Sequence, residues 1–219
     1  AVVDAMEQDA DAIATELAWQ MGRPTRYGGE FGGVNARTAY MSEIAEKTLA
    51  PLMVEDSNAF RRYLAREPVG VVFIVAPWNY PYLTTINTLV PALIAGNTVV
   101  LKPSEVAPIN AMILAEVIHE AGVPPGVFNL VNGAGPLVGE ALAGHPEVDM
   151  VSITGSTRAG ALVAQAAAPT AKRVTQELGG TVLGTCLEPV YSFLSLSEVS
   201  EYISTDADWA QTLIDEQKV

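Results

Sequence analysis

The chain has 219 residues, 49% of them hydrophobic and 17% charged, enough apolar material to bury the core of one large domain. Its formal net charge of -13, from 25 Asp and Glu against 12 Lys and Arg, would repel nucleic-acid phosphates and anionic lipid, which excludes both as main partners. A single cysteine, Cys186, excludes an intrachain disulfide framework, and His119 and His145 stand in no metal-ligand spacing, so no metal is expected.

The apolar stretches are broken before they could span a bilayer, and the acidic start AVVDAMEQDADAI lacks the basic front of a signal peptide; a cytoplasmic location is expected. Residues from Val2 to about Ala65 read as helices. Val3, Met6, Ala10, Ile13, Leu17 and Met21 recur at three- and four-residue steps. A Gly-rich break from Tyr27 to Gly33 precedes a second amphipathic stretch, TAYMSEIAEKTLAPLM.

From Val69 the rhythm becomes strand and helix in alternation. VGVVFIVAP is a β-branched apolar run suited to a strand covered on both faces. A helix follows from Tyr82 to Ala95, closed by Gly96 and Asn97. NTVVLKP, PGVFNLVNG, DMVSITGS and KRVTQELGG supply four further strands. The helices between them are APINAMILAEVIHEAG, the short GPLVGEALAGHP and the Ala-rich STRAGALVAQAAAP. The pattern predicts an α/β fold: a Rossmann-like open parallel sheet of about five strands with helices on both faces, preceded by N-terminal helices. After Gly180 the alternation stops. TVLGTCLEPVYSFLSLSEVS reads as strand or loop, and TDADWAQTLIDEQ as one acidic helix capped by Thr205 or Asp206.

In open parallel sheets, ligands sit outside the carboxyl ends of the strands, and each strand here ends in a polar or Gly-rich segment. In TGSTRAG, Gly155 permits close backbone approach, and Ser156 opens a helix whose free N–H groups and dipole suit a diphosphate; an N-cap serine in an ordinary turn explains the segment equally well. NGAGPLVG resembles a dinucleotide fingerprint, but Gly139 falls one residue late and Pro136 intervenes, so a tight turn is the simpler account. KPSE puts Lys102 and Glu105 at a strand end, where an acidic group could accept from ribose hydroxyls, and Glu105 would repel a 2′-phosphate, favouring NAD over NADP; an exposed pair at a helix start is the plain alternative. Asn79 in APWNYP is a rigid amide donor suited to an oxyanion, or a turn asparagine. Glu177 in QELGG could act as general base, or be a surface glutamate.

In this order, VGVVFIVAPWNYP, PALIAGNTVVLKPSE, AGVPPGVFNLVNGAG, GHPEVDMVSITGSTRAG and QELGG closely resemble the aldehyde dehydrogenase superfamily, over roughly Glu16 to Gly180. The resemblance implies a 1–180 cofactor-binding domain with N-terminal helices, and a 181–219 tail of a different kind. It implies NAD-dependent oxidation of an aldehyde to a carboxylic acid, with Asn79 holding the oxyanion and Glu177 activating water. Lys102 and Glu105 would bind the adenosine ribose, and Gly135, Pro136 and Gly139 would line the adenine. Gly155 and Ser156 would hold the pyrophosphate, with Leu178 beside the nicotinamide; Trp78 and Ser104 complete the cofactor-binding set. A homo-oligomer, or association with a full-length relative, is also implied.

The chain departs from the family after ELGG. Thr181 stands where lysine is usual, and no G-Q-x-C-type nucleophile motif follows. Cys186, nine positions after Glu177 in the setting LGTCLEPV, is either an improvised nucleophile or an inert thiol. Impaired turnover is therefore expected, with a non-catalytic NAD-binding or assembly module as the alternative. The substrate aldehyde is not legible.

Overall fold

The computed structural model describes residues 2–27 and 30–179, with Ala5 and Tyr27 described by their backbone alone. Cys186, Thr205, Asp206 and the whole 181–219 tail lie outside the described residues. Three helices come first: α1 (Val2–Gln8), α2 (Ala10–Met21) and α3 (Phe31–Leu49). Gly22, in the left-handed region at φ 73, closes α2. The last of the three starts inside the Gly-rich segment expected to be a break. Gly33 belongs there because a Cβ at that position would stand 2.8 Å from Leu83 Cδ1, on the helix that α3 packs against.

Residues 52–64 are not helical, contrary to expectation. Pro51 cannot continue the ladder of α3, and the chain turns into an antiparallel hairpin of β1 (Leu52–Asp56) and β2 (Arg61–Leu64). Asp56, Ser57 and Asn58 supply the turn chemistry. Exposed ion pairs cross the hairpin from Arg61 to Asp56 at 3.3 Å and from Arg62 to Glu55 at 3.6 Å.

The alternation expected from Val69 onward is present element by element. It runs β3 (Val71–Val75), α4 (Pro81–Ile94), β4 (Thr98–Lys102), α5 (Ile109–Glu120), β5 (Phe128–Leu130), α6 (Glu140–Ala143), β6 (Met150–Gly155), α7 (Thr157–Ala167) and β7 (Arg173–Leu178). All four pairings are parallel, in the order β5-β4-β3-β6-β7. The sheet grows outward from β3 to β5 on one side, then returns to β6 and β7 on the other. That reversal opens a crevice at the carboxyl ends of β3 and β6, the place where open α/β sheets bind ligands.

Alternating residues bury the two faces separately. Val72, Ile74, Val99 and Leu101 pack with Leu89 of α4, Leu114 of α5 and Leu17 of α2. Phe73, Val151 and Ile153 pack with Ala143 of α6 and Val163 of α7. Gly96 ends α4 at φ 84, as expected of a helix stop. Asn97 does more than stop the helix: its Nδ2 donates to Ala92 O, and its Oδ1 accepts from Val69 N and Gly70 N, tying the end of α4 to the start of β3. Among the described residues no helix is long and apolar enough to cross a membrane.

Candidate functional site

Each strand end supplies one piece of the site. At the end of β4 the side chain of Lys102 is buried, not exposed as a surface pair would be. Its Nζ donates to Pro103 O at 2.8 Å and stands 3.3 Å from Glu105 Oε2. Glu105 itself is exposed, and its Oε1 accepts the backbone N–H of Gly135 at 3.5 Å. Its carboxyl is held below the ordinary glutamate range, first by its own backbone N–H and then by Lys102, with partial desolvation opposing. Ser104 is half-buried, and its Oγ accepts Val106 N, forming a serine turn.

The late third glycine of NGAGPLVG has a structural counterpart. Gly135–Gly139 forms a π-turn, in which the Glu140 N–H reaches back to Gly135 O; one extra residue per turn is what this geometry admits. The turn brings Gly139 beside Lys102, so that a Cβ there would stand 3.9 Å from Lys102 Cδ, and one on Gly135 would stand 3.9 Å from Glu105 Oε1. Pro136 lies exposed on the same turn. Lys102, Glu105, Gly135 and Gly139 therefore form one cluster at the α6 side of the sheet.

At the end of β6, Gly155 leads into α7. Ser156 is the N-cap of that helix, its Oγ accepting Ala159 N at 3.2 Å. The capping alternative is thus realised, and it leaves the Ser156 hydroxyl proton available to a ligand. A Cβ on Gly155 would meet no atom closer than 3.9 Å, so the turn is open. Leu178, at the end of β7, packs on Gly160 of α7, where an added Cβ would stand 2.5 Å from Leu178 Cδ2. Gln176 Nε2 donates to Gly160 O on the same face.

Glu177 falls between these two residues and so points to the opposite face of the sheet. It registers with Thr154, two residues beyond Ser152, whose Oγ meets Thr88 Oγ1 of α4 at 3.0 Å. Glu177 is exposed. Asn79 lies in the turn from β3 to α4, half-buried beside Trp78. Its Oδ1 accepts Tyr80 N at 3.1 Å, and its Nδ2 has no hydrogen-bond partner among the described residues. β6 alone separates β3 from β7, so Asn79 and Glu177 stem from strands two places apart in the sheet.

A network that sequence reasoning missed supports this turn. α4 begins poorly, with Tyr80 at the N-cap making no side-chain cap and Pro81 lacking an N–H. Glu30 supplies the cap from another helix: its Oε2 accepts Leu83 N at 2.6 Å. Its other oxygen is 3.3 Å from Arg23 Nη1, and both side chains are buried. Arg23 in turn donates to Asn79 O and lies 4.6 Å over the Tyr80 ring. Burial raises the Glu30 carboxyl from 4.5 to about 7, against the pull of the Leu83 N–H and of Arg23. The contacts span 53 and 56 residues, and no local pattern marks them.

The family model described as "Aldehyde dehydrogenase family" matches residues 1–183. The match takes in α1 and the start of α2 as well, ahead of Glu16, where the motif resemblance begins. The 3-succinoylsemialdehyde-pyridine dehydrogenase of a Pseudomonas species is 62% identical over 117 residues, covering 53% of this chain and 24% of that protein. Aldehyde dehydrogenase 1A1 of Mus musculus is 43% identical over 182 residues, covering 82% of this chain and 36% of that protein. The crystal structure of an NAD-dependent aldehyde dehydrogenase from Sinorhizobium meliloti superposes with a TM-score of 0.77 at 39% identity, again over 82% of this chain and 36% of the other. The chain thus spans about a third or less of the length of these proteins.

Proposed function

Because the chain belongs to the aldehyde dehydrogenase family, we propose that it carries the dinucleotide-binding part of an enzyme that oxidises an aldehyde to a carboxylic acid. The observation that carries the reading is the Lys102, Glu105 and Gly135 cluster beside the π-turn, on the sheet face that also bears α7 and Leu178. We read residues 1–180 as the dinucleotide domain, and the compact unit Ala1–Leu178 supports that extent.

The residues present fit a nicotinamide dinucleotide. The Lys102 ammonium donates and the ionised Glu105 carboxylate accepts, matching the two hydroxyls of a ribose. Gly135, Pro136 and Gly139 leave a flat turn for an adenine. The open Gly155 turn, the Ser156 hydroxyl and the α7 N-terminus offer donors to a diphosphate. Leu178 would border the nicotinamide, with Trp78 and Ser104 at the rims. When bound, the cofactor supplies the acceptor for the aldehyde hydride. Glu105, ionised at neutral pH, disfavours a 2′-phosphate, and the NAD-dependence of the Sinorhizobium relative supports NAD over NADP.

On the other face, Asn79 would donate its free amide to the oxygen of the aldehyde as charge develops there. Glu177 would take a proton from the water that releases the acid. The nucleophile is the open element: Cys186, the chain's one cysteine, is our assignment for a chain that turns over. Its mismatch with the family motif favours a second reading, an NAD-binding or assembly module without turnover. The exposed Leu52, Val54, Tyr63 and Leu64 of the hairpin support an oligomer or pairing with a full-length relative. The net charge of -13 speaks against nucleic-acid and membrane partners, and the protein would act in the cytoplasm without a metal.

Titration with NAD and NADP, followed by quenching of tryptophan fluorescence, tests the cofactor site; no change with either would overturn both readings. NADH absorbance with a panel of aldehydes, including a succinoyl semialdehyde, then separates them. Turnover that Cys186→Ser abolishes supports the enzyme, whereas NAD binding without turnover supports the module.

A further inference from the structure

We propose that Arg23 is a positioning residue for Asn79, acting from outside the strand-end motifs through the buried Arg23–Glu30 pair. The proposal rests on the reading of Asn79 as oxyanion donor, but the geometry behind it stands apart from turnover. For an amide to stabilise a developing charge it must be held still before the charge appears. Asn79 sits in a turn of five residues between β3 and α4, and its own side chain contributes only one local bond, from Tyr80 N to Oδ1.

Arg23 adds the missing constraints. One end of its guanidinium donates to Asn79 O, its Cζ lies over the Tyr80 ring, 4.6 Å from the centroid, and Nη1 faces Glu30 Oε1 at 3.3 Å. Glu30 then grips the first turn of α4 through Leu83 N. The buried guanidinium and the buried carboxyl group thereby fix the carbonyl of Asn79, the ring of Tyr80 and the helix that follows. The planar fork matters, since lysine could keep the charge but could not stack on the ring and reach two acceptors together. A buried ion pair is a poor source of stability compared with apolar packing, which fits a pair retained for geometry. The charged and titratable groups around Glu30 are Arg23, from the segment after α2, and the Tyr82 hydroxyl of α4, which Glu16 of α2 also faces.

The test uses the whole chain, labelled with 15N, and follows the side-chain amide of Asn79, identified as the signal pair lost in Asn79→Ala. In Arg23→Lys the charge facing Glu30 is kept, so the melting temperature should stay near that of the parent. The Asn79 amide should nevertheless shift, and backbone order parameters at Asn79 and Tyr80 should fall from about 0.85 toward 0.6. In the parent, the Asn79 amide signals should move with pH as Glu30 titrates, with a midpoint near 7, and in Glu30→Gln they should stay fixed. An Asn79 amide unchanged in Arg23→Lys, or a flat pH profile in the parent, would overturn the proposal. If Arg23→Lys fails to fold, the parent and Glu30→Gln profiles decide alone. Failure of the oxyanion reading would show differently, as aldehyde turnover undiminished in Asn79→Ala.

Discussion

Glu30 occupies the N-cap of α3 but spends its carboxylate on α4, and its raised pKa makes that arrangement visible in stability. Between about 4.5 and about 7 the folded chain keeps the Glu30 proton, while an unfolded glutamate has lost it. The folded state then binds more protons, so stability falls as pH rises through this window and levels off above it. Chemical denaturation at pH 5 and pH 8 should show that decline, and Glu30→Gln should remove this component of it. The Tyr82 hydroxyl gives a second case. It is buried with no hydrogen-bond partner among the described residues, so Tyr82→Phe should be neutral or stabilising by up to about 1 kcal/mol; a clear loss in urea midpoint would mean that a water satisfies it. For Lys102→Met, NAD affinity should drop about ten- to a hundredfold, the span of one charge-assisted hydrogen bond of about 1.5–3 kcal/mol, measurable by calorimetry. Lys102 and Glu105 were legible in the sequence because they sit three residues apart at a strand end. Arg23 and Glu30 were not, since nothing near them in the chain signals partners more than fifty residues away.

The elements were read best where burial imposes a period. Each βα unit after Val69 packs on both sides, so apolar runs, Gly stops and Pro turns mark it clearly. The hairpin β1–β2 was misread because almost every residue in it is exposed, and without a buried face the alternation that betrays a strand never has to appear. Pro51 and the Asp56-Ser57-Asn58 turn were the usable signals. The π-turn shows the reverse situation, in which a glycine one residue late marks a wider turn. Close packing between α7 and β7 yields a prediction at this scale. Gly160→Ala would drive a methyl into Leu178, and the strain should outweigh the gain in helix propensity, costing about 1–2 kcal/mol in thermal or urea unfolding. A variant as stable as the parent would mean that Leu178 simply turns aside.

For the whole molecule, the sequence conveyed the layers but not the strand order, because alternation dictates parallel crossovers without saying on which side each new strand joins. The net charge of -13 favours dispersed molecules, yet the hairpin exposes Leu52 and Leu64 on one face and Met53 and Tyr63 on the other, with Val54 exposed at the bulge. Apolar contact should win over diffuse repulsion at physiological salt, where charges beyond about 8 Å are screened. Light scattering should therefore report self-association, and Val54→Lys with Tyr63→Lys should reduce the observed mass. A monodisperse monomer in the parent would refute this.

The sheet order also dictates a sequence of events in folding. β4 joins β3 through the Asn97 clasp, whose contacts close a loop of 27 residues, whereas β6 joins β3 through Asp149, whose Oδ2 accepts Val71 N across 78 residues. Closing the longer loop costs about 1 kcal/mol more in chain entropy. The β3–β4–β5 half can also form on a growing chain before β6 has been synthesised. Pulse-labelled amide exchange during refolding should find β3 and β4 protected before β6 and β7, so that the crevice between β3 and β6 is the last part of the sheet to come into being.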